Sequence, residues 1–261
     1  MIRWTDSHNH LQDPRMGGPA PVIAAMKEAG VMRCVVNATR EADWDAVEQL
    51  ALAEPGFVIP AFGIHPWHAH TARDGWQTRL RELVKKHSHS SMGECGLDQW
   101  VSEPSLEIQR PVFMDQLCIA REMDRPVTIH CLKAWNALFE AFDECPPLSR
   151  FLMHSFGGSI EIARRLIPQG AYFSFSGYFL QPRKAAVVEV FRQLPRDRIL
   201  LETDAPDMLP PEEFITHPLE EKRNHPANIA AIGSALAEAL GMDAEDLAEL
   251  TRENAVRFFG Q

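Results

Sequence analysis

The chain has 261 residues, with 26 Lys+Arg against 36 Asp+Glu for a formal net charge of −10, and is 45% hydrophobic and 24% charged. A chain this long buries roughly 70–75% of its unfolded surface, so its core needs neither disulfides nor zinc staples, and the composition excludes a disordered tail or a fibre. The acidic balance argues against a broad basic cradle for duplex nucleic acid, which rests on clustered Lys and Arg, but it leaves room for a small local phosphate site.

Apolar runs alternate with longer amphipathic stretches from the first residues to about residue 206. In chain order the runs are 2–8 (IRWTDSH), 33–39 (RCVVNAT), 57–65 (FVIPAFGIH), 90–98 (SSMGECGLD), 126–131 (PVTIHC), 150–156 (RFLMHSF), 171–177 (AYFSFSG) and 198–206 (RILLETDAP). They predict eight strands. Between them lie helical spacings such as Ile108, Val112, Leu117 and Ile119, or Val187, Val190, Phe191 and Leu194. Strands joined by helical crossovers pair in parallel, and eight is the number that closes a barrel. The competing architecture is an open doubly wound sheet, which needs a Gly-rich turn after its first strand. Gly17-Gly18 comes too late for that. The segment 207–225 is Pro-rich and aperiodic, so it reads as a loop after the eighth strand. Helices follow over Asn228–Leu240 and Asp243–Phe259, with Asp243 as N-cap and Gly260 as stop. The expected fold is therefore a single (β/α)8 TIM barrel spanning residues 1–261, with extra C-terminal helices.

The five cysteines (Cys34, Cys95, Cys118, Cys131, Cys145) are odd in number and form no CxxC pair, which points away from a disulfide framework and toward a reducing cytoplasm. The N-terminus lacks a basic-then-apolar signal pattern, and no run approaches the ~18 apolar residues of a membrane span. Neither a membrane nor an obligate protein partner is expected.

The chemistry gathers at the C-terminal ends of the strands, where barrel enzymes place it. The first run ends Asp6-Ser7-His8-Asn9-His10. Alternate side chains of an extended segment share a face, so Asp6, His8 and His10 can point one way. An HxH pair alone is also compatible with ordinary surface histidines. The pattern recurs, however, at Glu94 after the fourth run, His130 after the fifth, His154 after the sixth and Asp204 after the eighth. Any one of these could be a satisfied core histidine or a capping acid. Ionisable groups this close to apolar runs are costly to bury unless paired or coordinated, and together the six suit a metal centre. A single catalytic zinc keeps about three protein ligands. Six suffice for two ions if one carboxylate bridges.

Asp6-x-His8-x-His10, Gly63-Ile64-His65-Pro66, Gly93-Glu94-x-Gly96-Leu97-Asp98, Pro126-x-x-Ile129-His130, His154-x-Phe156-x-Gly158, Glu202-Thr203-Asp204-Ala205-Pro206 and Arg223-Asn224-x-Pro226 together resemble the TatD-type deoxyribonucleases, a branch of the amidohydrolase-like metal hydrolases. The resemblance implies a TIM barrel with two divalent ions (Mg, Mn or Zn). His8, His10 and Asp204 would surround one ion and His130 and His154 the other, with Glu94 bridging. His65 would face the scissile phosphate as a substrate contact, or else hold the loop after the third strand. Arg223 would reach a phosphate, while Glu202 either orients a ligand or pairs inside the barrel. Two features depart from the family pattern. Cys131-Leu132-Lys133 stands where a polar residue and Arg often follow the strand-five histidine, and Gln99-Trp100 follows Gly96-Leu97-Asp98 where an aromatic is often first.

His68, His70, His87 and His89 lie in polar contexts and are expected to be solvated, and Cys95 and Cys131 to pack away from the ligand face. The implied reaction is in-line attack on a phosphodiester by a metal-activated water, with Asp204 as general base. Alternatives are a hydrolase of a small amide, ester or tRNA-linked substrate, and a non-catalytic metal-binding scaffold. A net charge of −10 leads us to expect engagement of a chain end or a short single strand.

Overall fold

The computed structural model describes residues 2–145 and 150–260. The strands are β1 (Trp4–Asn9), β2 (Val31–Asn37), β3 (Val58–Phe62), β4 (Ser91–Asp98), β5 (Val127–Leu132), β6 (Phe151–Met153), β7 (Ala171–Ser176) and β8 (Ile199–Glu202). They pair in parallel in chain order. β8 returns to β1, where Asp204 N donates to His8 O at 3.0 Å and Ser7 Oγ to Leu201 O at 2.9 Å. One helix fills each crossover: α1 (Pro19–Glu28), α2 (Trp44–Ala53), α3 (Trp76–Lys86), α4 (Leu106–Glu122), α5 (Trp135–Glu144), α6 (Ile160–Leu166) and α7 (Ala185–Gln193). The expected (β/α)8 TIM barrel is what the chain forms. Among the described residues no helix is long and apolar enough to cross a membrane.

Two cores follow from the alternation of strand side chains. The larger lies between strands and helices. The smaller contains Val35, Ile59, Ala61, Leu152, Tyr172 and Leu200 from the strands, together with Ala255, Phe258 and Phe259. The last three belong to α9 (Ala244–Phe259), which follows α8 (Ile229–Leu240). The C-terminal helix thus packs its aromatic end onto strand residues at the face opposite the chemistry. Asp243 takes the extended cap conformation but makes no side-chain cap bond, and Gly260 stops α9 at φ 80°.

Helix α4 departs from the sequence expectation. Ile108 is 41% exposed, because the inward face carries Gln109 and Gln116 beside Phe113, Leu117 and Ala120. Gln109 accepts from Asp98 N at 2.8 Å and donates to Asp98 O at 2.8 Å. Gln116 makes the matching pair with Ile64, at 2.8 and 3.1 Å. Seven residues separate the two glutamines, so they share a face and clamp the chain beside His65 and at Asp98.

Candidate metal centre at the barrel mouth

β1 carries His8, ends on Asn9 and is followed at once by His10, but regular alternation fails here: the register to β2 is irregular between Asp6 and Asn9. Asp6 therefore does not join the two imidazoles. Its carboxylate accepts from Thr203 N, Thr203 Oγ1 and Asn9 Nδ2 at 3.0, 2.7 and 2.9 Å. This corrects the expectation that all three side chains share a face, and it gives Asp6 the task of tying β1 to the segment after β8. Asp204 sits at φ 53°, a region few non-glycine residues occupy. Its own N–H on His8 O and the Asp207 N–H on its carbonyl at 2.9 Å hold that conformation.

Glu94 lies at the centre, 2% exposed. Its Oε2 is 3.3 Å from His8 Nε2 and 3.5 Å from His10 Nε2. Asp204 Oδ1 faces the same two nitrogens at 3.3 and 3.4 Å. The other oxygen, Oε1, meets His154 Nε2 at 2.8 Å, His130 Nδ1 at 3.2 Å and His65 Nε2 at 3.3 Å. One carboxylate thus separates two sets of nitrogen and oxygen donors. All six residues expected at the centre converge, and His65 converges with them. Glycines make room for this: a Cβ on Gly96 would lie 1.9 Å from His130 O, and one on Gly63 would lie 2.7 Å from the Gly93 backbone.

The outer nitrogens orient the rings. His10 Nδ1 lies 2.7 Å from Asn37 O, and His130 Nε2 lies 2.9 Å from Asp98 Oδ2. Each of these nitrogens must carry the hydrogen, because its partner can only accept. In the neutral rings, lone pairs on His10 Nε2 and His130 Nδ1 then face Glu94, the arrangement that suits metal ligation. His65 is the reverse. Its Nδ1 accepts from Trp67 N at 3.2 Å, so the neutral ring presents Nε2–H to Glu94. Burial pushes His65 down to about 4, keeping it neutral.

Electrostatics reinforce the grouping. For Glu94, burial favours the neutral form, but the facing His154, His65 and His8 hold the carboxyl well below the usual carboxylate range. Asp204 is likewise held low against burial by hydrogen bonds from His10 and His8. His10 rises to about 9 because the Asp204 bond and the Glu94 charge outweigh burial. Imidazole nitrogens and carboxylate oxygens converging in a buried pocket are the donor set divalent ions take, and the residues fit such a group.

Other side chains border the cluster or lie beyond it, and Glu202 approaches His8 and His154. Glu202 pairs inside the barrel, accepting from Ser155 N and Oγ at 2.8 and 2.5 Å and from Ser174 Oγ, with His154 Nδ1 at 3.6 Å. Arg223 bonds to Arg15 O at 3.0 Å and to Glu221. Cys95 is buried, its thiol pushed up by burial, and Cys131 is pushed up to about 12. His87 is not simply solvated: it is half-buried, with Nε2 at 2.6 Å from Glu48. Asp98, quoted only as part of a motif, proves central. Its partners come from the turn that follows it, from the segment after β3 and from β5, and the last two are far along the chain.

A (β/α)8 barrel with this donor set at its mouth defines a metal-dependent hydrolase. The chain belongs to the family described as TatD related DNase, whose sequence profile matches residues 5–260. It is 32% identical to an uncharacterized metal-dependent hydrolase, YabD of Bacillus subtilis, over 97% of this chain and 98% of that one. It is also 32% identical to the 3'-5' ssDNA/RNA exonuclease TatD of Pantoea vagans, over 91% of this chain and 92% of the relative. Among solved structures it is similar to YJJV, a TatD homologue from Escherichia coli K12, with a TM-score of 0.88, 26% identity, and coverage of 100% and 99% of the two chains.

Proposed function

We propose that the protein is an exonuclease-like deoxyribonuclease that hydrolyses phosphodiester bonds with two divalent ions bound at the barrel mouth. The observation that carries this reading is the division of Glu94, one oxygen facing His8 and His10 and the other facing His130 and His154. In it, His8, His10 and Asp204 would hold one ion and His130 and His154 the other, with Glu94 available to both. Bound divalent ions supply Lewis acidity and lower the pKa of water, and their identity is Mg, Mn or Zn.

The chain's own residues do the rest. Asp204 stays ionised beside His8 and His10, so it is ready to accept the proton of the attacking water. His65 presents a neutral N–H into the mouth, which makes it a donor to a phosphoryl oxygen. Across the mouth, after β7, Arg183 donates to Tyr178 Oη at 2.7 Å, and Lys184 Nζ lies 5.3 Å from that ring's centre. These cations can meet further phosphates of a short single strand. Five free cysteines suit a reducing cytoplasm.

The test is to strip the protein of metal, add back Mg, Mn or Zn, and supply labelled single- and double-stranded oligonucleotides. Metal-dependent shortening of the strands is expected. No product with any ion, alongside turnover of a small ester or amide, overturns the reading, and full hydrolysis by Asp204→Ala removes the proton-acceptor role.

A further inference from the structure

Two of the six tryptophans are well exposed, and both stand at the barrel mouth: Trp67 after β3 is 46% exposed and Trp100 after β4 is 63% exposed. The other four are buried or half-buried. Singly exposed apolar residues are common on protein surfaces, but here the Trp67 ring and the Trp100 backbone are both tied to one carboxylate. Trp67 Nε1 donates to Asp98 Oδ2 at 2.8 Å, and Trp100 N donates to Asp98 Oδ1 at 2.6 Å. Lys133, after β5, sets its Nζ 4.0 Å from the centre of the Trp100 ring. The same Asp98 Oδ2 receives His130 Nε2, so the Trp67 ring and the Trp100 backbone both sit one carboxylate away from the candidate metal centre.

We propose that Trp67 and Trp100 form a stacking platform for the bases of single-stranded nucleic acid, with Lys133 contacting the adjoining phosphate. The proposal deepens the nuclease reading and rests on it. Every base has a π-face that stacks on an aromatic side chain, and that face is accessible only when the base is unpaired. A chain with a net charge of −10 cannot rely on a long track of phosphate contacts. Stacking supplies affinity that salt barely screens, and one lysine supplies the local charge. The platform therefore selects substrates that carry bases, in single strands or frayed ends, over small phosphodiesters.

The experiment uses the full chain stripped of metal, so that binding is read without turnover. An eight-residue oligothymidylate and an abasic strand of equal length, with identical phosphates, are titrated while tryptophan fluorescence and anisotropy are followed. Oligothymidylate is expected to quench the fluorescence and to bind about tenfold more tightly than the abasic strand, the scale of one stacked base. Trp100→Ala, and separately Trp67→Phe, which keeps a ring but loses the bond to Asp98, should bring that ratio toward one. The ratio of kcat/KM on the two strands should fall with it once metal is restored. Equal binding of both strands without quenching refutes the platform even if the enzyme cleaves DNA, and binding of neither strand overturns it as well. Quenching by oligothymidylate with no cleavage under any ion overturns the nuclease reading and leaves the platform standing.

Discussion

Asp98 is 1% exposed and its carboxylate collects four N–H donors, from Trp67 Nε1, His130 Nε2, Trp100 N and Val101 N. Asp98→Asn keeps the shape and turns one oxygen into NH2. With that nitrogen in the Oδ2 position it faces the donors of Trp67 and His130; flipped, it faces those of Trp100 and Val101. Either orientation sets donors against donors twice. Hydrogen bonds to a charged group contribute about 1.5–3 kcal/mol each, so losing two costs about 3–6 kcal/mol before relaxation. His130 can relieve one conflict by moving its hydrogen to Nδ1, but Nδ1 lies 3.2 Å from Glu94 Oε1, and the lone pair on the metal side is then gone. The expected outcome is a net loss of roughly 2–4 kcal/mol, a melting temperature lower by roughly 5–15 °C, and metal affinity at the His130 site weaker by about 10- to 100-fold. Circular dichroism melts with and without EDTA, and competition against a chromogenic chelator, measure both effects. A variant that melts within about 1 °C of wild type and holds metal equally well would refute the reasoning.

Glu94→Gln should lower bound metal at both sites together, by elemental analysis of dialysed protein; retention of a full complement would show that the two donor sets are independent. The raised His10 gives a pH test. Its folded pKa of about 9 exceeds the ordinary 6.5, so its contribution to stability is fully present below about 6.5 and is lost as pH rises through about 9. Metal-free protein should lose this contribution between those values while metal binding tightens over the same range, because the ion displaces protons; calorimetry in buffers of different ionisation enthalpy should detect their release, and zero release contradicts the assignment. Gly96→Ala places a methyl 1.9 Å from His130 O, on backbone at φ 141°, and should cost about 3 kcal/mol or more. A wild-type melting temperature would contradict the close approach of β4 and β5.

Much of the site was legible because its signals are local. His8 and His10 two apart, and Glu94, His130, His154 and Asp204 each at or just past the end of an apolar run, can be read without knowing which strands are neighbours, since a closed parallel barrel puts all such ends at one mouth. What failed to show depends on partners far along the chain. Asp6 turns away because the β1 register is irregular and Thr203 offers it two donors. Ile108 faces out because Gln109 and Gln116 are needed for the backbones of Asp98 and Ile64. His87 looked solvated until Glu48 arrived from another helix.

By itself, then, the sequence determined eight strands, their parallel order and the six side chains that meet at the mouth, because strand period, turn residues and chain order are properties of short segments. Only the tertiary structure decided which nitrogen of each histidine faces inward, that Asp98 joins Trp67, Trp100 and His130, and that α9 packs against the opposite face of the barrel. Apart from the Trp100 N–H two residues beyond Asp98 and the Trp67 N–H two beyond His65, those outcomes depend on hydrogen-bond partners and packing surfaces supplied by distant parts of the chain, which no short window of sequence holds together.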